Sequence, residues 1–152
     1  MNDTLRWQLA TCSYRAFHPG MGVPVRTSVG AYRAKLAGDV PQEYVKVLTP
    51  FGLIGNAKYK NATDQEWEEG YRDRLAKNTR ELVSELDRLT VAHPGRTLVF
   101  LCFEDVHAKT RNVCHRSMAA RWLTEMYGLS IPELSPGPGV ATSVKEEGTK
   151  LW

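Results

Sequence analysis

Arg96–Phe103, which reads RTLVFLCF, is the stretch that decides the fold. Its centre is a continuous apolar run rather than an alternation, as expected of a strand covered on both faces. Such strands occur in parallel sheets packed between helices, so helical patterns are expected on either side. Upstream, Thr63-Asp64-Gln65-Glu66 offers a cap followed by acidic residues that complement the positive end of a helix dipole. Trp67, Tyr71, Leu75, Leu82, Leu86 and Leu89 then recur at spacings of three, four or seven. That periodicity predicts one helix of about seven turns, ending near His93-Pro94-Gly95. Downstream, Val113 to Gly128 predicts a second helix. Met118, Trp122 and Met126 share one stripe, and Gly128 is the C-terminal stop.

Further out the signals weaken. Leu5 to Ser13 (LRWQLATCS) reads as a buried strand, and Phe17 to Gly22 (FHPGMG) as turn material. Val23 to Ser28 (VPVRTS) suits a short extended piece, with Pro24 arguing against a central strand. Val45 to Leu48 (VKVL) is a second strand candidate, stopped by Thr49-Pro50; Leu53 to Ala62 is expected as a loop or short helix. Leu129 to Leu134 (LSIPEL) suits a short final strand. Ser135-Pro136-Gly137-Pro138-Gly139 cannot continue regular structure. The alternation of strands and helices predicts an α/β fold: a Rossmann-like three-layer sandwich with a mainly parallel sheet. The expected organisation is one domain over residues 1–134 and a Pro/Gly-containing tail over 135–152.

A chain of 152 residues has the length of one domain and can bury a sizeable core without disulfides. No apolar run reaches the roughly 18–20 residues of a membrane span, and Met1–Ala10 lacks the apolar segment of a signal peptide. Three cysteines cannot all pair within the chain, so free thiols in a reducing, cytoplasmic setting are expected. The 20 Lys and Arg against 17 Asp and Glu give a net +3. Residues 1–60 carry +5, residues 61–92 carry −3, and the rest +1. The long helix is therefore the acidic face, and so small a total makes a nucleic-acid partner the weaker expectation.

In open α/β sheets ligands bind outside the carboxyl ends of the strands. The first strand delivers Cys12, Ser13, Tyr14 and Arg15 there. RTLVFLCF delivers Cys102 and Glu104, with Asp105 beside them. The next helix is expected to open with Cys114, His115 and Arg116, with Asn112 as its N-cap. Unpaired N–H groups and the helix dipole favour an anion at such a start, and a thiol there carries more thiolate. The cluster therefore reads as an anion pocket or a nucleophilic cysteine. Equally open is a structural reading: a small buried thiol, a His capping its own turn, and Arg116 paired to Glu104 or Asp105. Glu104, ending an apolar strand, needs either such a partner or a task as general acid or base. Arg26-Thr27-Ser28 with Gly30 suits a polar loop for an anion or an ordinary solvated loop. Lys58-Tyr59-Lys60 places an aromatic between two cations, which suits nucleotide contact or plain solvated surface. Cys12, Cys102, Cys114 and His115 would make a Cys3His set, but they lack the C-x2-C spacing of zinc sites; no metal and no cofactor is expected.

Several of these pieces together resemble the domain of unknown function 488 family. They are Leu101-Cys102-Phe103-Glu104, then Cys114-His115-Arg116, a helix with Trp122-Leu123, and Ile131-Pro132-Glu133-Leu134. Upstream, Leu48-Thr49-Pro50, Lys58-Tyr59, and Tyr71 with Leu75 add weaker support. The resemblance covers roughly residues 5–134, and its most specific part is Cys-x-Glu followed by Cys-His-Arg. It implies an α/β sandwich and an intracellular protein. It carries over Cys102, Glu104, Cys114, His115 and Arg116 as signature positions, but no reaction. One departure is Val106–Val113 (VHAKTRNV), long and basic where the family has a short link.

The sequence thus leads to a phosphate-bearing ligand bound at the strand ends: a nucleotide, a nucleotide-derived small molecule or a nucleic-acid end. Hydrolysis or transfer at a glycosidic or phosphate-ester bond is the accompanying possibility. Glu104, Cys114 and His115 are the catalytic candidates. Arg116, Cys12, Tyr14, Arg26, Ser28 and Lys58 are the ligand-binding candidates. The alternatives are a thiol or redox enzyme using Cys114, resolved by Cys102 or Cys12, and a non-catalytic nucleotide-sequestering protein.

Overall fold

The RTLVFLCF stretch forms the strand β4 (Leu98–Cys102), all five of whose residues are buried. It is flanked on both sides in a four-stranded sheet with β1 (Leu9–Ser13), β2 (Val23–Arg26) and β3 (Glu43–Tyr44). The strand order is β1-β4-β2-β3, and every pairing is parallel. The fold is thus α/β, a single domain with a parallel sheet, consistent with a Rossmann-like sandwich. In this computed structural model the described residues are 6–28, 40–53, 56–102 and 115–134. The expected tail over 135–152 lies outside them.

Alternation along β4 builds two cores. Leu98 and Phe100 face a large cluster with Leu9, Val23 and Val25 and the apolar stripes of all the described helices. Val99 and Leu101 face the other way, against Cys12, Tyr14, Ala16 and Phe17, with Met21, Val40 and Leu134 at the margin.

Three helices supply the first core: α1 (Asp64–Lys77), α2 (Thr79–Ala92) and α3 (His115–Tyr127). Thr63 caps α1 in a reciprocal capping box with Glu66, as its sequence suggests. The expected single helix over this stretch is in fact two of 14 residues each, broken at Asn78. The cause is local. Asn78 Nδ2 donates to Arg74 O at 2.8 Å, and Thr79 Oγ1 donates back to Ala76 O at 2.9 Å. Such side chains compete with the helical ladder. The apolar stripe stays in phase across the joint, so Trp67, Tyr71 and Leu75 of α1 and Leu82, Leu86 and Leu89 of α2 all enter one core. Each of the three α2 leucines is fully buried, a contribution of roughly 1.5–3 kcal/mol apiece.

Other boundaries differ from the sequence pattern. The strand expected over Leu5–Ser13 begins at Leu9. VKVL is not a strand: Lys46–Leu48 is a 3-10 turn and the strand lies just before it. Val47 and Leu48 are both buried within this turn, and Thr49 Oγ1 closes it on Lys46 O at 2.7 Å. Pro24 does lie in an inner strand. Val23 N–H and Thr27 N–H donate to Thr97 and Leu101 on the β4 side. The missing N–H of Pro24 therefore points to the β3 side, where pairing starts only at Val25. Met126 leaves the stripe of Met118 and Trp122 and is 56% exposed. The expected final strand is a single parallel bridge, Thr11 with Glu133. Gly128 ends α3 at φ 68°, as expected of a glycine stop.

Candidate functional site

The strand ends are arranged around a switch point. From β4 the chain passes through α3 to Glu133, which bridges to β1; from β2 it passes to β3 on the opposite side. The connections diverge between β4 and β2, the kind of crevice where open α/β sheets take ligands. Thr27 and Ser28, both buried, follow β2 directly into this crevice.

Thr27 ties the crevice together. Its N–H and Oγ1 donate to Leu101 O at 3.0 and 2.8 Å. His115, the first residue of α3, places Nε2 2.7 Å from Thr27 O and 3.2 Å from Thr27 Oγ1. A carbonyl only accepts, and the Thr27 hydroxyl proton is already directed at Leu101. Nε2 therefore carries the ring proton, and in the neutral ring Nδ1 holds the lone pair. The Tyr71 ring of α1 meets the imidazole edge-on at 5.9 Å, and the Tyr71 hydroxyl is anchored on Leu48 O at 2.6 Å. His115 is thus held by Thr27, just after β2, and by Tyr71 of α1.

Beside it, the Tyr14 hydroxyl and Ser28 Oγ are 2.9 Å apart in a buried contact. Tyr14 comes from the turn after β1, and its N–H donates to Cys102 O. Arg26, half-buried at the end of β2, donates from Nε to Ser28 O at 3.0 Å and lays its guanidinium 4.2 Å above the Tyr44 ring. Tyr14, Arg26, Ser28 and His115, all expected at the site, are therefore brought to one edge by β1, β2 and α3.

Arg116 is buried and faces Glu133. Nε and Nη2 donate to the two Glu133 oxygens at 3.1 and 2.6 Å, and Nη1 approaches Cys102 Sγ at 3.1 Å. Thr11 Oγ1 donates to the same carboxylate at 2.5 Å. This bidentate clamp fastens the start of α3 to β1 and to the segment after α3. Glu104 and Asp105, which the structural reading expected as partners of Arg116, lie outside the described residues; the pairing among the described residues is with Glu133. Its sequence signal is thin: one carboxylate in the otherwise apolar LSIPEL.

Other expected residues lie apart or outside. Cys12 is fully buried on the opposite sheet face from Cys102, with its Sγ 3.8 Å from Met21 Sδ. Neither cysteine is in a disulfide, and Cys114, the thiol that Cys102 or Cys12 was expected to resolve, lies outside the described residues. Lys58 is exposed on the 3-10 turn Ala57–Tyr59, its ammonium 5.5 Å above the Tyr59 ring. Glu104, Asp105, Asn112, Cys114, Gly30 and the basic stretch Val106–Val113 lie outside the described residues. Among the described residues no group of three or more His, Cys, Asp or Glu is placed to hold a metal. No described helix is long and apolar enough to cross a membrane. A cleft of about 490 Å³ lies elsewhere, between Trp7, Leu9, Ala10 and Thr97 at the start of β1 and β4 and Ser130 and Pro132 after α3.

Compared with protein-family models, curated proteins and solved structures, the chain matches none.

Proposed function

We propose that the strand C-terminal edge binds a phosphate-bearing ligand, a nucleotide or a nucleic-acid end. The observation that carries this reading is the convergence of Tyr14, Arg26, Ser28 and His115 on the switch-point crevice. They offer the Arg26 guanidinium and the hydroxyl proton left over by the Tyr14–Ser28 pair, donors that phosphate oxygens accept from, while His115, with Nε2–H given to Thr27 O, donates from Nδ1 only as the imidazolium. In this reading Arg116 is a positioning residue: its clamp on Glu133 holds α3, so that His115 meets Thr27. A reaction at a glycosidic or phosphate-ester bond would call on Glu104, Cys114 and His115 as its catalytic candidates. Without such a reaction the same site sequesters its ligand. Membership of the domain of unknown function 488 family is part of the proposal, as is a cytoplasmic setting; free buried thiols at Cys12 and Cys102 suit a reducing compartment.

Calorimetric titration with adenosine monophosphate tests the reading. Arg26→Ala is expected to weaken binding by about tenfold, the loss of one charge-assisted contact, and Ser28→Ala by about threefold to tenfold. Both variants should keep the native circular dichroism spectrum. Unchanged affinity in both variants would overturn the proposal.

A further inference from the structure

Beyond the crevice, a second group of side chains continues from Arg26 along the end of β3. Two of the four exposed large hydrophobic side chains among the described residues are aromatic, Tyr44 at 40% and Phe51 at 52% exposure, and both belong to this group. Each is paired with cations. Arg26 lies 4.2 Å above Tyr44, and Lys46 Nζ lies 4.5 Å from the centre of Phe51, with the Arg74 guanidinium at 6.0 Å. The group is rigid for a surface. Val45 N–H donates to Arg26 O, while Arg74 Nε and Nη2 donate to Thr49 O and Lys46 O at 2.7 and 2.8 Å. Glu43, the nearest acid in sequence, points to the other face of β3 and meets His93 Nε2 at 2.8 Å.

We propose that Tyr44 and Phe51 form a base-stacking platform for single-stranded nucleic acid, with Arg26, Lys46 and Arg74 holding its phosphates. The chemistry fits one occupant. Aromatic faces accept any base, and interleaved cations follow a phosphate backbone. An acidic peptide would use the cations and leave the rings idle. The inference deepens the strand-edge reading and rests on it through Arg26, which serves both groups. A strand stacked on Phe51 and Tyr44 would deliver its end to Ser28 and Tyr14.

Fluorescence anisotropy with a labelled oligothymidylate of about 12 nucleotides tests this, at about 50 and 200 mM salt. Tyr44→Ala and Phe51→Ala should each weaken binding by about tenfold, whereas Tyr44→Trp should retain it. Lys46→Ala should flatten the salt dependence by about one unit of slope. Inorganic polyphosphate, which has no bases, should bind both alanine variants as well as the native protein. Ser28→Ala and Tyr14→Phe separate the two readings. If they leave oligonucleotide affinity unchanged while Tyr44→Ala and Phe51→Ala reduce it, the platform stands without the crevice. The platform is overturned if the oligonucleotide does not bind, or if Tyr44→Ala and Phe51→Ala bind it like the native protein.

Discussion

At Arg116 a buried guanidinium meets a half-exposed carboxylate, with side-chain exposures of 4% and 47%. The asymmetry sets what each substitution does. Arg116→Ala removes a bidentate pair and the packing of the arginine stem, while Glu133 can turn to water. A loss of about 2–4 kcal/mol in urea denaturation is expected. Glu133→Gln keeps the packing and should cost about 1 kcal/mol. If Arg116→Ala is as stable as the native protein but no longer binds nucleotide, Arg116 serves the ligand rather than the fold. Tyr14, Ser28 and His115 were legible in the sequence because strand ends and helix starts can be located from apolar periodicity. Glu133 was not legible as a partner of Arg116. Its place beside Thr11 depends on one isolated bridge joining distant parts of the chain, which no local pattern encodes.

Among the elements, the junction of β2 with β4 leaves no room for a side chain at Gly22. Gly22, just before β2, has φ 142°, and a Cβ there would lie 2.3 Å from Thr97 O. Val23 N–H donates to that same carbonyl at 2.8 Å, so the backbone cannot retreat without breaking the sheet. Gly22→Ala should cost about 2–4 kcal/mol, read from its thermal or urea midpoint. Helix α2 is fastened to the chain before β1 at Asp87. Arg6 Nε and Nη2 donate to its carboxylate at 3.0 and 2.7 Å, and Trp7 Nε1 donates at 2.7 Å. The Arg6 hydrogen bonds, helped by that of Trp7 and opposed by partial burial, hold the Asp87 pKa below the usual carboxylate range. A depressed folded pKa stabilises above the unfolded value of about 3.9 and is lost as pH falls through the folded one. Asp87→Asn should therefore be less stable by about 1 kcal/mol at neutral pH, with the gap closing as the pH falls well below 4. A gap that persisted in acid would place the effect in packing. The break between α1 and α2 was hidden from the sequence for a related reason: the leucine stripe runs in phase through Asn78, and only the adjacent Asn-Thr pair signals the interruption.

For the whole molecule, charge is divided by element. The acidic helix α1 faces α3 through Arg72–Glu125 and Arg121–Glu68, while Arg26, Lys46 and Arg74 line the end of β3. Net charge alone understates this, because the +3 total averages an acidic helical layer with a basic strand edge. The α/β class was legible in RTLVFLCF, since an unbroken apolar strand requires cover on both faces. The strand order was not, because it depends on which edges meet after the crossovers.

The most direct measurement is an amide NMR titration of the protein with adenosine monophosphate, taken to about 10 mM so that even millimolar affinity registers. Binding in the crevice shifts Tyr14, Thr27, Ser28 and His115 and the Arg26 side chain. Shifts confined to Trp7, Ala10, Thr97 and Ser130 around the cleft, or no shifts at all, would contradict it.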